Sequence, residues 1–199
     1  MIKMAEIFRV EEHHNIIISV VRDETSYVIE WLNYHLWLGF DRVVFYNQDD
    51  NSDAFKAKLR PHVLRGFALV VNATVGDQRG SYIRGIETYG QRVNSITFLD
   101  ADEFLVLCNS VNVKEVLKNL ERADVHCGEI NWFQFGTADI VYQDPSTGIL
   151  DKFVKRQHAP VEQHAGKVIL KGGNWLQQIS REKWRADAFW HHCAVLTDK

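Results

Sequence analysis

Between Asn15 and Val21 the chain reads Asn-Ile-Ile-Ile-Ser-Val-Val. A run this apolar and this rich in β-branched side chains has no polar face to offer water. It is expected as a strand buried on both faces, the environment of a parallel sheet. A parallel neighbour needs a crossover, and the next segment supplies one. Val28, Trp31, Leu32, His35 and Leu38 recur at helical spacing, with Thr25 or Ser26 able to cap the start and Gly39 the end.

The pattern then repeats. Arg42 to Tyr46 is a second short strand that runs into Asn47-Gln48-Asp49-Asp50-Asn51-Ser52-Asp53, side chains that favour turns and caps. A short helix is expected over Phe55 to Leu59, a strand over Phe67 to Ala73, a helix over Arg79 to Val93 despite its internal glycines, and a fourth strand over Ser95 to Leu99. Such alternation predicts an α/β fold: right-handed βαβ units on a mostly parallel sheet flanked by helices. Asn112, with Glu115 three residues on, caps a further amphipathic helix. Glu129 to Phe135 and Lys167 to Lys171 read as strands, and Asp144 to Gly148 as a turn. There is no internal repeat.

At 199 residues the chain is expected to form one domain, and 46% hydrophobic with 25% charged residues is enough to bury a core. A formal charge of −3 provides no field for collecting nucleic acid. Cys108, Cys127 and Cys193 are odd in number and widely spaced, so no disulfide framework and a reducing compartment are expected. No apolar run approaches the roughly 18–20 residues of a membrane span, and charges occupy the first residues where a signal peptide would be apolar. These features predict a soluble, intracellular protein.

Ligands of open α/β sheets bind beyond the carboxyl ends of the strands. That rule selects Arg22-Asp23-Glu24, the loop from Asn47 to Asp53, and Asp100-Ala101-Asp102-Glu103, all acidic or amide-rich. Neither a GxGxxG turn nor a GxxxxGK[ST] loop is present, which disfavours simple dinucleotide or P-loop chemistry. Asp100 and Asp102, at i and i+2 in extended backbone, would point to one side and reach one hard cation. Such an ion suits a nucleotide diphosphate sugar, because it stabilises the charge that grows on the departing diphosphate. A solvated strand-to-turn transition is the plainer reading of the tripeptide. A haloacid dehalogenase-type phosphohydrolase also uses Asp-x-Asp, but it wants Thr or Val where this chain has Phe104, and wants it near the N-terminus.

Other residues are weaker candidates. Asp139 and Glu129 are the carboxylates available to take an acceptor hydroxyl proton. His35 reads as a hydrogen-bonded core histidine, and His158 and His164 lack the spacing of a zinc pair. Lys171-Gly172-Gly173-Asn174 reads as a plain turn. Trp132, Trp175, Trp184 and Trp190 fall in the second half, where they either pack the core or stack on an acceptor sugar.

Arg22-Asp23-Glu24, Glu30-Trp31, Tyr34-His35, Leu38-Gly39, Val44-Phe45-Tyr46-Asn47, Asp100-Ala101-Asp102-Glu103-Phe104, Trp132-Phe133-Gln134-Phe135-Gly136 and His192-Cys193-Ala194-Val195 occur in this order. Together they resemble the motifs of the family 2-like and family 92-like glycosyltransferases. The resemblance implies an A-type glycosyltransferase fold, with a nucleotide-sugar half over residues 15–107 and an acceptor half over residues 108–199. It implies that Val21, Arg22, Glu24, Asn47 and Asp49 line the base and ribose and that Gln78 lies near the donor. Asp100 would face the ribose or a metal-bound water, Asp102 would ligate Mn²⁺ or Mg²⁺, and His192 would complete the shell. The implied activity is inverting hexosyl transfer from a UDP-sugar to a glycan or lipid-linked acceptor, as in cell-envelope polysaccharide synthesis, in the cytoplasm or at the inner face of a membrane. Asp23 stands where the family has Asn, Cys193 where Tyr is usual and Leu196 where a base is usual. A non-catalytic carbohydrate-binding scaffold derived from a transferase is the rival reading.

Overall fold

A computed structural model of the chain describes residues 14–49, 52–108, 112–122, 127–137, 147–158 and 166–173. The alternation read from the sequence is present: β1 (Asn15–Val21), α1 (Val28–Trp37), β2 (Arg42–Asn47), α2 (Ser52–Leu64), β3 (Ala68–Asn72), α3 (Gln78–Tyr89) and β4 (Ser95–Phe98). There follow α4 (Val113–Arg122), β5 (Cys127–Ile130), β6 (Phe135–Gly136), a single turn α5 (Ile149–Lys152), β7 (Lys155–Arg156) and β8 (Lys167–Lys171).

Six strands form one sheet in the order β3-β2-β1-β4-β8-β5. The first four are mutually parallel, and β8 is antiparallel to both β4 and β5. The fold is therefore α/β with a mostly parallel sheet, as expected. Alternate strand residues serve opposite faces. Ile17, Val21, Val43 and Phe45 pack with Trp31 and Leu32 of α1, Phe55 and Leu59 of α2, and Val113 of α4. Ile16, Ile18, Val44 and Tyr46 pack with Tyr82 and Ile86 of α3. Burial on both faces is why the strands carry no polar stripe.

Two glycines are required by packing. Gly39 ends α1 with φ 103° and lies against the Asn112 side chain, which itself caps α4 by accepting from the Lys114 N–H at 2.8 Å. Gly85 lets α3 sit directly on β1, because a Cβ there would run into Ile18 Cδ1. Gly85→Val is accordingly expected to destabilise the fold by about 1–3 kcal/mol through overpacking. Thermal unfolding tests this, and an unchanged midpoint would mean that α3 lifts off β1 freely.

Several local expectations are corrected. Helix α1 begins one to two residues later than the Thr25 or Ser26 cap implied; its N-cap is Tyr27, with no side-chain capping bond. Thr25 and Ser26 instead belong to a turn, and the Ser26 carbonyl accepts from Lys58 Nζ at 2.9 Å. Helix α2 is longer than Phe55 to Leu59 and continues through Pro61. The expected strand from Glu129 to Phe135 is two strands that pair with different partners, β5 with β8 and β6 with β7. The Asp144 to Gly148 turn lies mostly outside the described residues.

Cys127 is disulfide-bonded, whereas Cys108 is free and exposed. No helix among the described residues is long and apolar enough to cross a membrane.

Candidate functional site

The loops after β1, β2 and β4 meet at the carboxyl edge of the sheet. Asp23 has φ 63°, the only positive φ among the described non-glycine residues. Asn and Asp tolerate this left-handed conformation better than other side chains, so Asp suits the position. Its N–H donates to Asp49 Oδ1 at 2.6 Å, and the Asp49 N–H donates to Asn47 Oδ1 at 3.0 Å. The β1 and β2 loops are thus tied to each other. Val21 is buried beneath them, while Arg22 is exposed and 3.9 Å from the still more exposed Asp23 carboxylate.

Glu24 is the electrostatic centre of this edge. Its carboxyl is raised to about 8, first by burial and then by the charges of Asp102, Asp100, Asp49 and Asp23. Its Oε2 is buried without a hydrogen-bond partner. Burial, together with Glu24 and Asp102, also holds the Tyr27 phenol well above its ordinary value.

The Asp-x-Asp segment departs from the expected geometry. β4 stops at Phe98, and residues 100–103 form a turn closed by the Glu103 N–H donating to the Asp100 carbonyl at 3.1 Å. The extended backbone that would point Asp100 and Asp102 the same way is absent. Asp100 turns inward: its Oδ1 accepts from Gln78 Nε2 at 3.1 Å and from the Tyr82 hydroxyl at 3.2 Å, and its Oδ2 meets Lys167 Nζ at 2.6 Å. Asp102 is exposed. Glu103 accepts from the Asp100 N–H at 3.0 Å and pairs with Lys167 at 3.0 Å. Burial raises the Glu103 carboxyl to about 7, with Lys167 pulling it back. Burial pulls Lys167 down, yet the charges of Glu103 and Asp100 prevail and its pKa ends above the ordinary value.

Helix α1 holds this turn from behind. Trp31 Nε1 donates to the Glu103 carbonyl at 2.7 Å and the Tyr34 hydroxyl to the Leu105 carbonyl at 2.8 Å. The Leu105 N–H lies 3.3 Å from His35 Nε2, which must therefore be the accepting nitrogen, leaving Nδ1 to donate to the Trp31 carbonyl at 2.9 Å. Burial lowers His35 to about 4, so this tautomer stays neutral at physiological pH. Phe104 packs against the Tyr34 and His35 rings, at 5.2 and 6.0 Å between centroids. The core reading of His35 holds, and two motifs some seventy residues apart in sequence are one physical unit.

Of the other candidates, Glu129 is exposed near the carboxyl end of β5, with β8 between it and β4. Trp132 is half-buried in the irregular segment after β5. The amides of Gly172 and Gly173 are spent on the Asn94 and Gly90 carbonyls, at 2.7 and 2.8 Å, as in a plain turn. Asp139, His164, Trp175, Trp184, Trp190, His192 and Cys193 lie outside the described residues. Sequence reasoning missed Tyr82 and Lys167. Tyr82 is one helical turn beyond Gln78 and was legible by that spacing, but nothing local marks Lys167.

The donor set can be tested against a divalent cation. The unpartnered Oε2 of Glu24 lies amid four other carboxyl groups whose charges would attract a hard cation with oxygen ligands. Among the described residues no group of three or more His, Cys, Asp and Glu is placed to hold a metal ion. Both oxygens of Asp100 are engaged.

No family model matches the chain, and no curated protein does. Among solved structures, the apo-form glycosyltransferase GlyE of Streptococcus pneumoniae TIGR4 is similar at 12% identity and a TM-score of 0.39. The match covers 83% of this chain and 36% of that one, so the chain spans about a third of that structure's length. A likeness this loose leaves the functional reading to rest on the site itself.

Proposed function

We propose that the protein is a divalent-cation-dependent glycosyltransferase that uses a nucleotide diphosphate sugar, read here as a UDP-sugar. The observation that carries this reading is the buried, unpartnered Glu24 oxygen among Asp23, Asp49, Asp100 and Asp102 at the carboxyl edge of a parallel sheet. Carboxylates so crowded repel a bare diphosphate, so an anionic donor approaches only with a cation between them. Asp102 and Glu24 would hold Mn²⁺ or Mg²⁺, with His192 a further ligand by resemblance. When bound, the ion supplies positive charge at the departing diphosphate.

The chain's own residues orient the donor. Val21, Arg22, Asn47 and Asp49 surround the base and ribose in this reading. Asp100, held by Gln78, Tyr82 and Lys167, presents a fixed carboxylate to the ribose or to a water on the ion. The acceptor hydroxyl attacks the anomeric carbon from the face opposite the diphosphate, inverting it, and loses its proton to a carboxylate for which Glu129 and Asp139 are the candidates. The acceptor, a glycan or lipid-linked sugar, rests on the resemblance alone.

A panel of nucleotide sugars with and without MnCl₂, read by thermal unfolding, tests the reading. A true donor at a hundred times its Kd stabilises the native state by about 2.7 kcal/mol. The expected result is a Mn²⁺-dependent rise in Tm with one donor and release of its nucleotide on turnover. A rise without turnover would favour the non-catalytic scaffold, and no rise with any donor would count against donor binding altogether.

A further inference from the structure

We infer that Lys167 is a positioning residue of the acidic site: its ammonium fastens Asp100 to Glu103 and so sets the turn that leaves Asp102 facing outward. The inference rests on the donor-binding reading above.

Topology brings Lys167 there. Because β8 runs antiparallel to β4, its first residue lies at the edge where β1, β2 and β4 end; Phe98 pairs with Val168, and Lys167 is the next residue outward. Its Nζ lies 2.6 Å from Asp100 Oδ2 and 3.0 Å from Glu103 Oε2. The same Glu103 oxygen accepts from the Asp100 N–H at 3.0 Å. Ammonium, both carboxylates and the Asp100 amide thus close a ring around the turn. The ion pair is more than a surface contact, since side-chain exposures are 25% for Lys167, 32% for Asp100 and 13% for Glu103. Gln78 and Tyr82 occupy the other Asp100 oxygen, so that carboxylate has no freedom left. Asp102 has no part in the ring.

Without the ammonium, two carboxylates would face each other across a short turn with nothing between them. Either their repulsion opens the turn, or the pair draws a cation into the lysine's place and away from Asp102. A lysine acting only as a nearby positive charge predicts the opposite sign: its removal would tighten cation binding.

Calorimetric titration of UDP in MnCl₂ into the wild type, Lys167→Met and Lys167→Arg separates these possibilities, with ligand-free unfolding as the folding control. Positioning predicts that Lys167→Met weakens binding by about 10–100-fold, the usual effect of losing a group that orients a metal ligand. It also predicts that Lys167→Arg regains most of that loss and that amides in residues 99–105 of the methionine variant lose hydrogen-exchange protection. Binding by Lys167→Met as tight as or tighter than the wild type, or no recovery in Lys167→Arg, would overturn the role of Lys167 and leave the donor reading standing. A wild type that does not bind UDP with Mn²⁺ would overturn the donor reading and this inference with it.

Discussion

Glu24→Gln is expected to make the ligand-free protein more stable at pH 8.5 while weakening its Mn²⁺-dependent donor binding. The wild-type carboxyl titrates near 8 in the folded state and near 4.5 when unfolded, so between these values the folded protein holds the proton more tightly. Its contribution to stability is therefore complete below pH 4.5 and is lost as pH rises through 8. Discounted for the exposure that Glu24 retains, the penalty removed at pH 8.5 is about 2 kcal/mol. For a chain of this length that corresponds to roughly 4–8 °C in Tm. At pH 4 the two proteins should melt alike, because both side chains are neutral there. A difference independent of pH would mean that burial and the acidic neighbours do not act on Glu24 as described. Opposite signs on stability and binding are expected of a group whose discomfort in the free protein is relieved by a ligand.

Asp102→Asn is expected to abolish Mn²⁺-dependent donor binding and leave the fold intact. Asp102 is exposed, and surface substitutions away from special features stay within about 0.5 kcal/mol. Its charge is the largest of the four that raise Glu24, so the variant should also bring the Glu24 carboxyl part of the way back toward 4.5. If Asp102 is the direct ligand proposed above, its loss should exceed the about 10–100-fold typical of supporting groups. The comparison is between wild type and variant in UDP affinity with MnCl₂ and with EDTA. A variant that still binds in MnCl₂ and still loses binding in EDTA would move the cation to another residue.

Much of the architecture was legible because its signals are local. The apolar run from Asn15 to Val21, the spacing from Val28 to Leu38 and the strand before Asp100 each specify an element by their own periodicity, and the alternation of elements specifies a parallel sheet. Asn112 was legible as a cap and His35 as a core residue for the same reason. The meeting of three acidic loops was legible: Arg22 to Glu24, Asn47 to Asp49 and Asp100 to Asp102 follow strands that end at one carboxyl edge.

What failed depended on contacts that side-chain periodicity does not carry. Thr25 and Ser26 looked like caps, but the chain spends them in a turn after Glu24. Asp100 and Asp102 looked like a matched pair, but the Glu103 side chain reaches back to the Asp100 amide and rolls the segment into a turn. The continuous strand expected from Glu129 to Phe135 divides because β8 and β7 draw its two ends to different sheets.

By itself, the sequence determined the order and type of the elements from β1 to β4 and the edge where their acidic loops gather, because side-chain periodicity and strand direction are short-range properties. Only the tertiary structure decided that Asp100 is an inward anchor, that Asp102 faces outward and that Lys167 stands between Asp100 and Glu103. An antiparallel strand 67 residues beyond Asp100 supplies that ammonium, and no local pattern encodes which distant charge a carboxylate will meet.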